Sequence, residues 1–362
     1  MRGSVALVYN EPLFSHYDDI SEEKAVLDVL GAVDAARQAL LQLDFDVTVV
    51  PLMPPLAEAE RKLLSFNTDL VFNLFEGFFG HPETEALIPE ILLQAGIPFT
   101  GCPPSMLRLA LDKAKVNMIL TAAGIPTPDF QLLDPETLLL FRLGYPCIVK
   151  PRCEDASLGI SPESVVNDFA ALERQVSLVS SRYSRGALVE EFIEGREFNA
   201  TVLGNSEHSV LPISEIAYSL PSGMPRILTL AAKWEPDSLY FQATRVICPA
   251  DIDVELQQRI VETARAAFRL VGGRGYARVD MRIVEDGELN VLEVNPNPDI
   301  SPDSGAARQA AAAGMSYNQL IEEFVRLALD EKNYENQYSP DDLRRQTRYN
   351  ENAVPYSGIQ TL

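Results

Sequence analysis

Histidine is scarce in this chain of 362 residues, with only His16, His81 and His208 present. Three scattered imidazoles make a zinc cage improbable and leave a serine or cysteine nucleophile without its usual base. The four cysteines (Cys102, Cys147, Cys153 and Cys248) include no Cys-x-x-Cys pair and have no histidine at ligand spacing. Cys147 falls in an apolar strand pattern and reads as a small core residue. Cys153 falls in a loop that matters below, and chance proximity to a site explains it better than a nucleophilic role. Positive charge is also short: 30 Lys and Arg stand against 52 Asp and Glu, for a formal net charge of −22. Nucleic acid and anionic membrane are therefore not expected partners. Any phosphate site must be built locally, from a few basic side chains and backbone N–H groups.

Long apolar runs are missing too, and the N-terminus lacks the basic, apolar and small-residue regions of a signal peptide. A cytoplasmic protein is the expectation. Apolar content of 46% with a mean hydropathy of −0.01 describes a soluble globular chain. Its length exceeds one ordinary core, so two or three domains are expected.

What is present is a clear alternation of patterns. Ser4–Tyr9 reads as an apolar strand, and Glu22–Leu43 as a helix with Val26, Val29, Leu30, Val33 and Leu40 on one stripe. Strands at Val47–Val50 and Asp69–Asn73 follow, with helices near Ala57–Leu64 and Glu83–Gln94. That βαβ alternation implies a parallel, doubly wound sheet. No Gly-x-Gly-x-x-Gly follows the first strand, which argues against a dinucleotide site there. Pro103–Ala123 is helical but interrupted, and stops at Gly124-Ile-Pro126. A smaller α+β unit runs from Phe130 to about Val202, with a strand at Cys147–Lys150, a helix at Asp168–Ser181 and a strand at Ala187–Glu191. The third unit holds a long loop at Ser219–Leu239, a helix at Val254–Leu270, a hairpin, and a last helix at Asn318–Leu329. The expected divisions are 1–103, 104–202 and 203–330, with a polar tail at 331–362.

The hairpin is the most informative segment. Tyr276–Val284 and Glu288–Val294 read as strands, and Asp286-Gly287 as a two-residue loop. That register sets Asp280 opposite Glu293 and Arg278 opposite Asn295. The other face then carries Val279, Met281, Leu292 and Val294, suited to a core. Like charges across a ladder repel, so two facing carboxylates beside an amide suggest a missing cation. Hard oxygen ligands favour Mg²⁺ or Mn²⁺. The competing reading is a solvated polar face.

Phosphate partners are available upstream. Lys150 ends a buried strand and enters Pro151-Arg-Cys-Glu-Asp-Ala-Ser-Leu-Gly159, whose backbone N–H groups at Ser157–Gly159 could cover a phosphate. Lys113, after Asp112, is a second candidate. The run Val189-Glu190-Glu191-Phe192-Ile193-Glu194-Gly195-Arg196-Glu197 can offer carboxylates and backbone groups to an adenine edge and ribose hydroxyls. The order counts for more than any one piece: lysine helix, lysine strand with loop, acidic turn, carboxylate hairpin.

In that order the chain resembles the D-alanine–D-alanine ligase-like branch of the ATP-grasp enzymes, over about residues 4–329. The matching stretches are Asp69-Leu-Val-Phe-Asn73, Gly96-Ile-Pro-Phe-Thr-Gly101, Asp112-Lys113, Ala123-Gly-Ile-Pro-Thr-Pro128, Val149-Lys-Pro151, Glu190–Glu197, Leu292-Glu-Val-Asn295 and Ala312-Ala-Gly-Met-Ser316. The resemblance implies an α/β chain, α+β in its central and C-terminal units, with an N-terminal Rossmann-like domain before an ATP-grasp fold. It implies ATP and two Mg²⁺ ions (or Mn²⁺), small-molecule carboxylate and amine substrates, and a homodimer. By position, Lys113 and Lys150 would contact nucleotide phosphates and Glu190 and Ile193 the adenine, with Ser157, Gly159, Glu191 and Phe192 also in the ATP site. Glu197 would bind ribose, Lys233 the γ-phosphate, and Asp280, Glu293 and Asn295 the metals. Arg278 would stabilise charge on the reacting carbonyl oxygen. Ser304 and Gly305 would hold the second substrate's carboxylate.

The chain departs from the resemblance on the substrate side. The family's phosphate loop reads Glu-Gly-Ser-Ser before its glycine, whereas this one reads Glu154-Asp155-Ala156-Ser157-Leu158-Gly159. The tyrosine that follows the loop lysine is Trp234 here, and the N-terminal Ser-Ala-Glu-x-Glu stretch is not evident. Glu11, Glu22 and Glu23 are the candidates to replace its glutamate. A hydroxyl-to-methyl change removes a directional hydrogen bond, and indole is a donor only. The expected activity is a carboxylate–amine ligase working through an acyl phosphate on an amino acid or similar substrate other than D-alanine. A genuine D-alanine–D-alanine ligase and a non-ligating ATP-binding protein are the alternatives.

Overall fold

The structure is a computed structural model that describes residues 2–12, 20–78, 81–154, 157–183 and 185–335. Ala156 and the tail from residue 336 lie outside the described residues, as do the side chains of Glu22, Glu23 and Trp234. The chain begins with β1 (Ser4–Asn10), parallel to both β2 (Asp46–Leu52) and β3 (Leu70–Leu74) in the order β2-β1-β3. Strand alternation sends Val5, Leu7, Leu70 and Phe72 to one face, under α1 (Ile20–Gln42) and the last helix, α11 (Tyr317–Glu335). Ala6, Val8, Val50 and Val71 go to the other, under α2 (Leu56–Leu63) and α3 (Leu87–Ala95). This is the doubly wound arrangement expected. α3 is shorter than expected because its first part is a separate 3-10 turn at Pro82–Thr84. α11 extends to Glu335, into the segment read as a tail.

The interrupted helix is two helices, α4 (Pro104–Ala110) and α5 (Lys113–Ala122), with Asp112 capping the second by accepting from the Lys115 N–H. Beyond them, β4 (Phe130–Leu133), β5 (Cys147–Pro151), β6 (Val165–Val166) and β7 (Ala187–Glu191) form an antiparallel sheet in the order β4-β7-β5-β6. α6 (Phe169–Arg182) covers its outer face through Leu172, Val176 and Val179.

The third sheet has six strands: β8 (Arg196–Leu203), β9 (Ser209–Val210), β10 (Ser214–Tyr218), β11 (Thr244–Ile247), β12 (Tyr276–Ile283) and β13 (Leu289–Asn295). The order is β11-β10-β8-β12-β13, with β9 on β8. β8, read from sequence as part of the central unit, lies at the middle of this sheet. α4 and α5 also pack here, sharing one face of the sheet with α9 (Val254–Leu270). The expected loop Ser219–Leu239 contains α7 (Leu230–Trp234) and leads into α8 (Leu239–Ala243), capped by Thr229 and Ser238. Ile227 and Tyr240 pack on Phe192, with Ile148 and Ile160, so this segment folds onto the inner face of the central sheet. α10 (Gly305–Ala312) precedes α11. No helix among the described residues is long and apolar enough to cross a membrane.

The hairpin has the expected pairing by an unexpected route. Arg278 faces Asn295 and Asp280 faces Glu293, but the register then shifts, so that Met281 faces Val291. The loop has three residues, Glu285-Asp286-Gly287: the Gly287 N–H donates to Val284 O, and the Val284 N–H donates to Glu288 O. Gly287 takes φ 94°, as the third position of such a loop requires. The longer loop displaces the register by one residue, and a β-bulge at Leu292 restores it. Leu292 accordingly leaves the apolar face it was expected to join, and Val291 buries there instead, with Val279, Met281 and Val294.

The turn joining the central and third sheets is tight. A Cβ built on Gly195 would stand 1.9 Å from the carbonyl oxygen of Ile283. Gly195→Ala is expected to cost about 1–3 kcal/mol through enforced backbone displacement. A urea melt measures this; an unchanged midpoint would mean that the turn has room to spare.

Candidate active site

The polar face of the hairpin is crowded with charge. Asp280 receives two bonds from Arg278, Nε to Oδ1 at 2.7 Å and Nη2 to Oδ2 at 2.9 Å, and one from Asn199 Nδ2 at 2.7 Å. Lys113, the first residue of α5, places Nζ 2.7 Å from Glu293 Oε1 and donates to Glu154 O at 2.7 Å. Asn295 Oδ1 accepts from the Asn297 N–H at 2.9 Å. Burial pushes the Asp280 carboxyl up, against the pull of Arg278. Burial also opposes the Arg278 charge, but Asp280, helped by Glu293 and Asp299, holds its pKa above the usual value. Two carboxylates directly opposite each other in the ladder, with an amide oxygen nearby, are hard donors that fit Mg²⁺ or Mn²⁺. They do not form a full cage: among the described residues no group of three or more His, Cys, Asp and Glu could hold a metal. A cation here would need further oxygens from phosphate or water.

Lys233 stands over the same face. Burial, with Arg278 adding to it, pushes its ammonium down to about 8, while Glu293, Asp280 and Glu197 pull the other way. The hairpin thus gathers Lys113, Lys233, Arg278, Asp280 and Glu293.

Lys150 and Glu190 form a second knot. Lys150 Nζ lies 2.5 Å from Glu190 Oε2, and Asn117 donates to Glu190 Oε1 at 2.8 Å. The Glu190 carboxylate is therefore turned inward, and Glu190 itself is only 1% exposed. Arg152 binds Asp112 with two bonds, at 2.8 and 2.7 Å, tying the segment after β5 to the cap of α5. Ser157 adopts φ 66°, and Gly159 adopts φ 73° with Pro151 and Tyr183 against it, so this part of the loop turns sharply. Cys153 is buried beside it, and burial raises its thiol pKa. Cys147 is pushed up to about 11 by burial, as suits an inert core thiol.

Glu197 anchors a third group. Arg282 donates to Glu197 Oε2 from Nε at 3.1 Å and from Nη2 at 2.6 Å, and the Tyr218 hydroxyl donates to the same oxygen at 2.8 Å. Arg282 Nη1 also donates to Ile193 O at 2.9 Å, fixing the acidic turn. Glu191 is exposed beside buried Phe192. Ser304 caps α10, its Oγ accepting from the Ala307 N–H at 3.3 Å, and Gly305 opens that helix. At the N-terminal end, Tyr9 donates to Glu11 Oε2 at 3.1 Å.

Asn117, Arg152, Asn199, Tyr218 and Arg282 were not singled out from the sequence. Four of them were within reach of simple periodicity. Asn117 follows Lys113 by one helical turn, Asn199 and Arg282 lie two strand positions beyond Glu197 and Asp280, and Arg152 lies two residues beyond Lys150, just past the end of β5. Tyr218 carried no such signal.

Residues 119–326 match the family model described as D-ala D-ala ligase C-terminus. An uncharacterised protein, y4sG, of Sinorhizobium fredii is 36% identical over 258 residues, covering 71% of this chain and 74% of its own. A D-alanine–D-alanine ligase of Carboxydothermus hydrogenoformans is 32% identical over 323 residues, covering 86% and 96%. Among solved structures, the D-alanine–D-alanine ligase of Bacillus anthracis complexed with ATP superposes with a TM-score of 0.69 at 19% identity, over 92% of this chain and 99% of that one. At that identity the likeness speaks to the fold.

The Glu197–Arg282 pair generates a stability test. Arg282→Met strands a buried carboxylate and is expected to cost about 3–5 kcal/mol. Adding Glu197→Leu should recover most of the loss, because the unpaired charge goes with it. Chemical denaturation of the two variants measures both values; a double variant no better than the single would refute the account.

Proposed function

The chain belongs to the D-alanine–D-alanine ligase family of ATP-grasp carbon–nitrogen ligases, and from that premise we propose that it joins a carboxylate to an amine through an acyl phosphate made from ATP. The observation that carries the reading is the gathering of Lys113, Lys233 and Arg278 around the facing carboxylates Asp280 and Glu293. Amide formation in water is uphill. Phosphorylating the substrate carboxylate first turns its oxygen into a phosphate leaving group, which an amine then displaces.

In this reading Lys113, Lys150 and Lys233 bind phosphate oxygens, with the backbone around Ser157 and Gly159. Lys150 exchanges its bond to Glu190 for the nucleotide, or shares it. Glu191, Phe192 and Ile193 line the adenine with Glu190, and the bonds to Glu197 Oε2 turn Oε1 toward the ribose. Asp280, Glu293 and Asn295 would hold Mg²⁺, which when bound would neutralise phosphate charge. Arg278 stabilises the reacting carbonyl oxygen in both steps. The N-terminus of α10 at Ser304-Gly305 suits the carboxylate of the second substrate. The segment 219–243, packed on Phe192, serves as the lid that keeps water from the acyl phosphate. We place the boundary between the central and third units at the Phe192–Gly195 turn, because β8 runs in the third sheet.

We infer a substrate pair other than two D-alanines, because Ala156 and Trp234 replace two hydroxyl-bearing residues of the family pattern. The second reading is a genuine D-alanine–D-alanine ligase, favoured by the name of the Carboxydothermus relative. ATP-dependent phosphate release, scanned over D- and L-amino acids with hydroxylamine to trap acyl phosphates, decides between them. Release with several amino acids but weakly with D-alanine is expected. Release with D-alanine alone selects the second reading, and no trapped product from any carboxylate leaves an ATP-binding protein that does not ligate.

Lys233 adds a pH signature. Its pKa of about 8 lies below the usual lysine value, so its charge is complete only below pH 8 and fades as pH rises through it. Turnover limited by that charge falls about tenfold per pH unit above the apparent pKa. Lys233→Arg, which stays protonated, should move this limb upward; an unmoved limb assigns it elsewhere.

A further inference from the structure

One side chain of α10 acts as a piece of β-strand. Gln309 is 0% exposed. Its Oε1 accepts from the Thr201 N–H at 3.0 Å, and its Nε2 donates to Asn199 O at 2.9 Å and to Ser214 Oγ at 3.0 Å. The reason lies in the partner of β8. β10 pairs with β8 with Ser214 facing Asn199, Glu215 facing Phe198 and Ile216 facing Glu197. Continued toward β9, that register sets Pro212 opposite Thr201, and proline has no N–H to give to a ladder. The pairing breaks there and resumes out of step, with the Leu211 N–H on Thr201 O and Val202 opposite Val210. The Gln309 amide enters at the break, accepting from one residue of β8 and donating to another, as a neighbouring strand does.

The same stretch of β8 reaches the charge centre. Phe198, Ala200 and Val202 lie in the core under α9, so alternation sends Glu197, Asn199 and Thr201 to the opposite face. Asn199 shares that face with Asp280, its ladder partner in β12, and its Nδ2 donates to Asp280 Oδ1 at 2.7 Å. The backbone of Asn199 is thus held by Gln309, while its side chain holds Asp280. Gln309 itself sits about one helical turn beyond Gly305, which opens α10 behind the Ser304 cap. One buried amide therefore ties the N-terminal end of α10 to the strand beside Asp280.

We propose that Gln309 is a positioning residue: by bridging the break beside β8 it fixes Asn199, and through Asn199 it sets the Asp280 carboxylate relative to α10. The proposal rests on the ligase reading above, in which Asp280 is a metal ligand and the start of α10 receives the second substrate. It adds the element that keeps the two in register. A primary amide suits this position because it offers an acceptor and two donors side by side. Arg278 draws Asp280 along its own strand. The bond from Asn199 pulls from across the ladder, and the two directions together fix the plane of the carboxylate.

Two readouts on the full chain test this. The first needs no metal: it is the side-chain amide NMR signal of Asn199, in protein isotopically labelled at asparagine and assigned by its loss in Asn199→Ala. That signal should move in Gln309→Met, which keeps the bulk of the side chain without its hydrogen bonds. The second is the Mn²⁺ affinity of the ADP-loaded chain, measured by calorimetry. Gln309→Met and Asn199→Ala should each weaken it about tenfold, as losing a group that orients a metal ligand does. The double variant should bind no more weakly than the weaker single one, because both act through one bond. A purely structural role would lower the melting point and leave the affinity of the folded chain where it was. Gln309→Asn keeps the amide but draws it back by one methylene; it serves where Gln309→Met does not fold, and should move both readouts in the same direction. An unmoved Asn199 signal, an unchanged Mn²⁺ affinity in the Gln309 variant, or losses that add in the double variant overturn the proposal. A parent chain that binds no Mn²⁺ sinks the metal-ligand reading, and the Asn199 signal then decides this one alone.

Discussion

Two carboxylates facing one another across a β-ladder are a liability that the rest of this fold is arranged to offset. Asp280 and Glu293 are direct partners in the ladder, and like charges in that position destabilise a sheet. Each is met by cationic groups from different parts of the chain. Arg278 comes from the same strand, Lys113 from α5, and Lys233 from α7. The long path of the chain through α5, α7 and the hairpin returns repeatedly to one small region of negative charge. In the function proposed above, a nucleotide's phosphates and their metals would occupy this place, because they need both the cations and the hard oxygens.

Around that centre, buried ion pairs are satisfied with unusual completeness. Glu190 is bonded by Lys150 and Asn117, Glu197 by Arg282 and Tyr218, and Asp112 by Arg152. Such pairs add little net stability, since desolvation consumes most of the attraction. Their value lies in rigidity: a site whose dipoles are fixed beforehand need not reorganise when charge develops on a substrate. The Asp112–Arg152 and Lys113–Glu154 bonds also couple α5 to the segment after β5. Movement of the central sheet would therefore be felt directly at Lys113.

Local pattern made much of this visible in the sequence. α9 occurs over the residues expected, and the strand–helix alternation before residue 100 folds as a doubly wound sheet because each strand is apolar on both faces. What stayed hidden was long-range. Nothing local tells that β8 leaves the central unit, since a strand's partners are chosen by tertiary packing. Nor does a polar stretch such as Ser219–Leu239 announce two short helices whose stability comes from caps at Thr229 and Ser238 and from docking against Phe192. Asn199 and Arg282 sit at legible strand positions, yet their meaning depends on Asp280 and Glu197, both contributed by other strands.

The Asp280–Glu293 pairing was read correctly on a wrong premise. The hairpin loop is one residue longer than its Asp-Gly signature suggested, and the bulge at Leu292 takes that residue back. The two irregularities act as a frameshift and its suppressor. Lose either alone and the strands slip by one position, which would carry Val294 to the polar face and an acidic side chain into the apolar layer under α9. Variation in this ribbon must therefore come in compensated pairs. A descendant chain with a trimmed turn can keep its charge centre only if it also straightens β13.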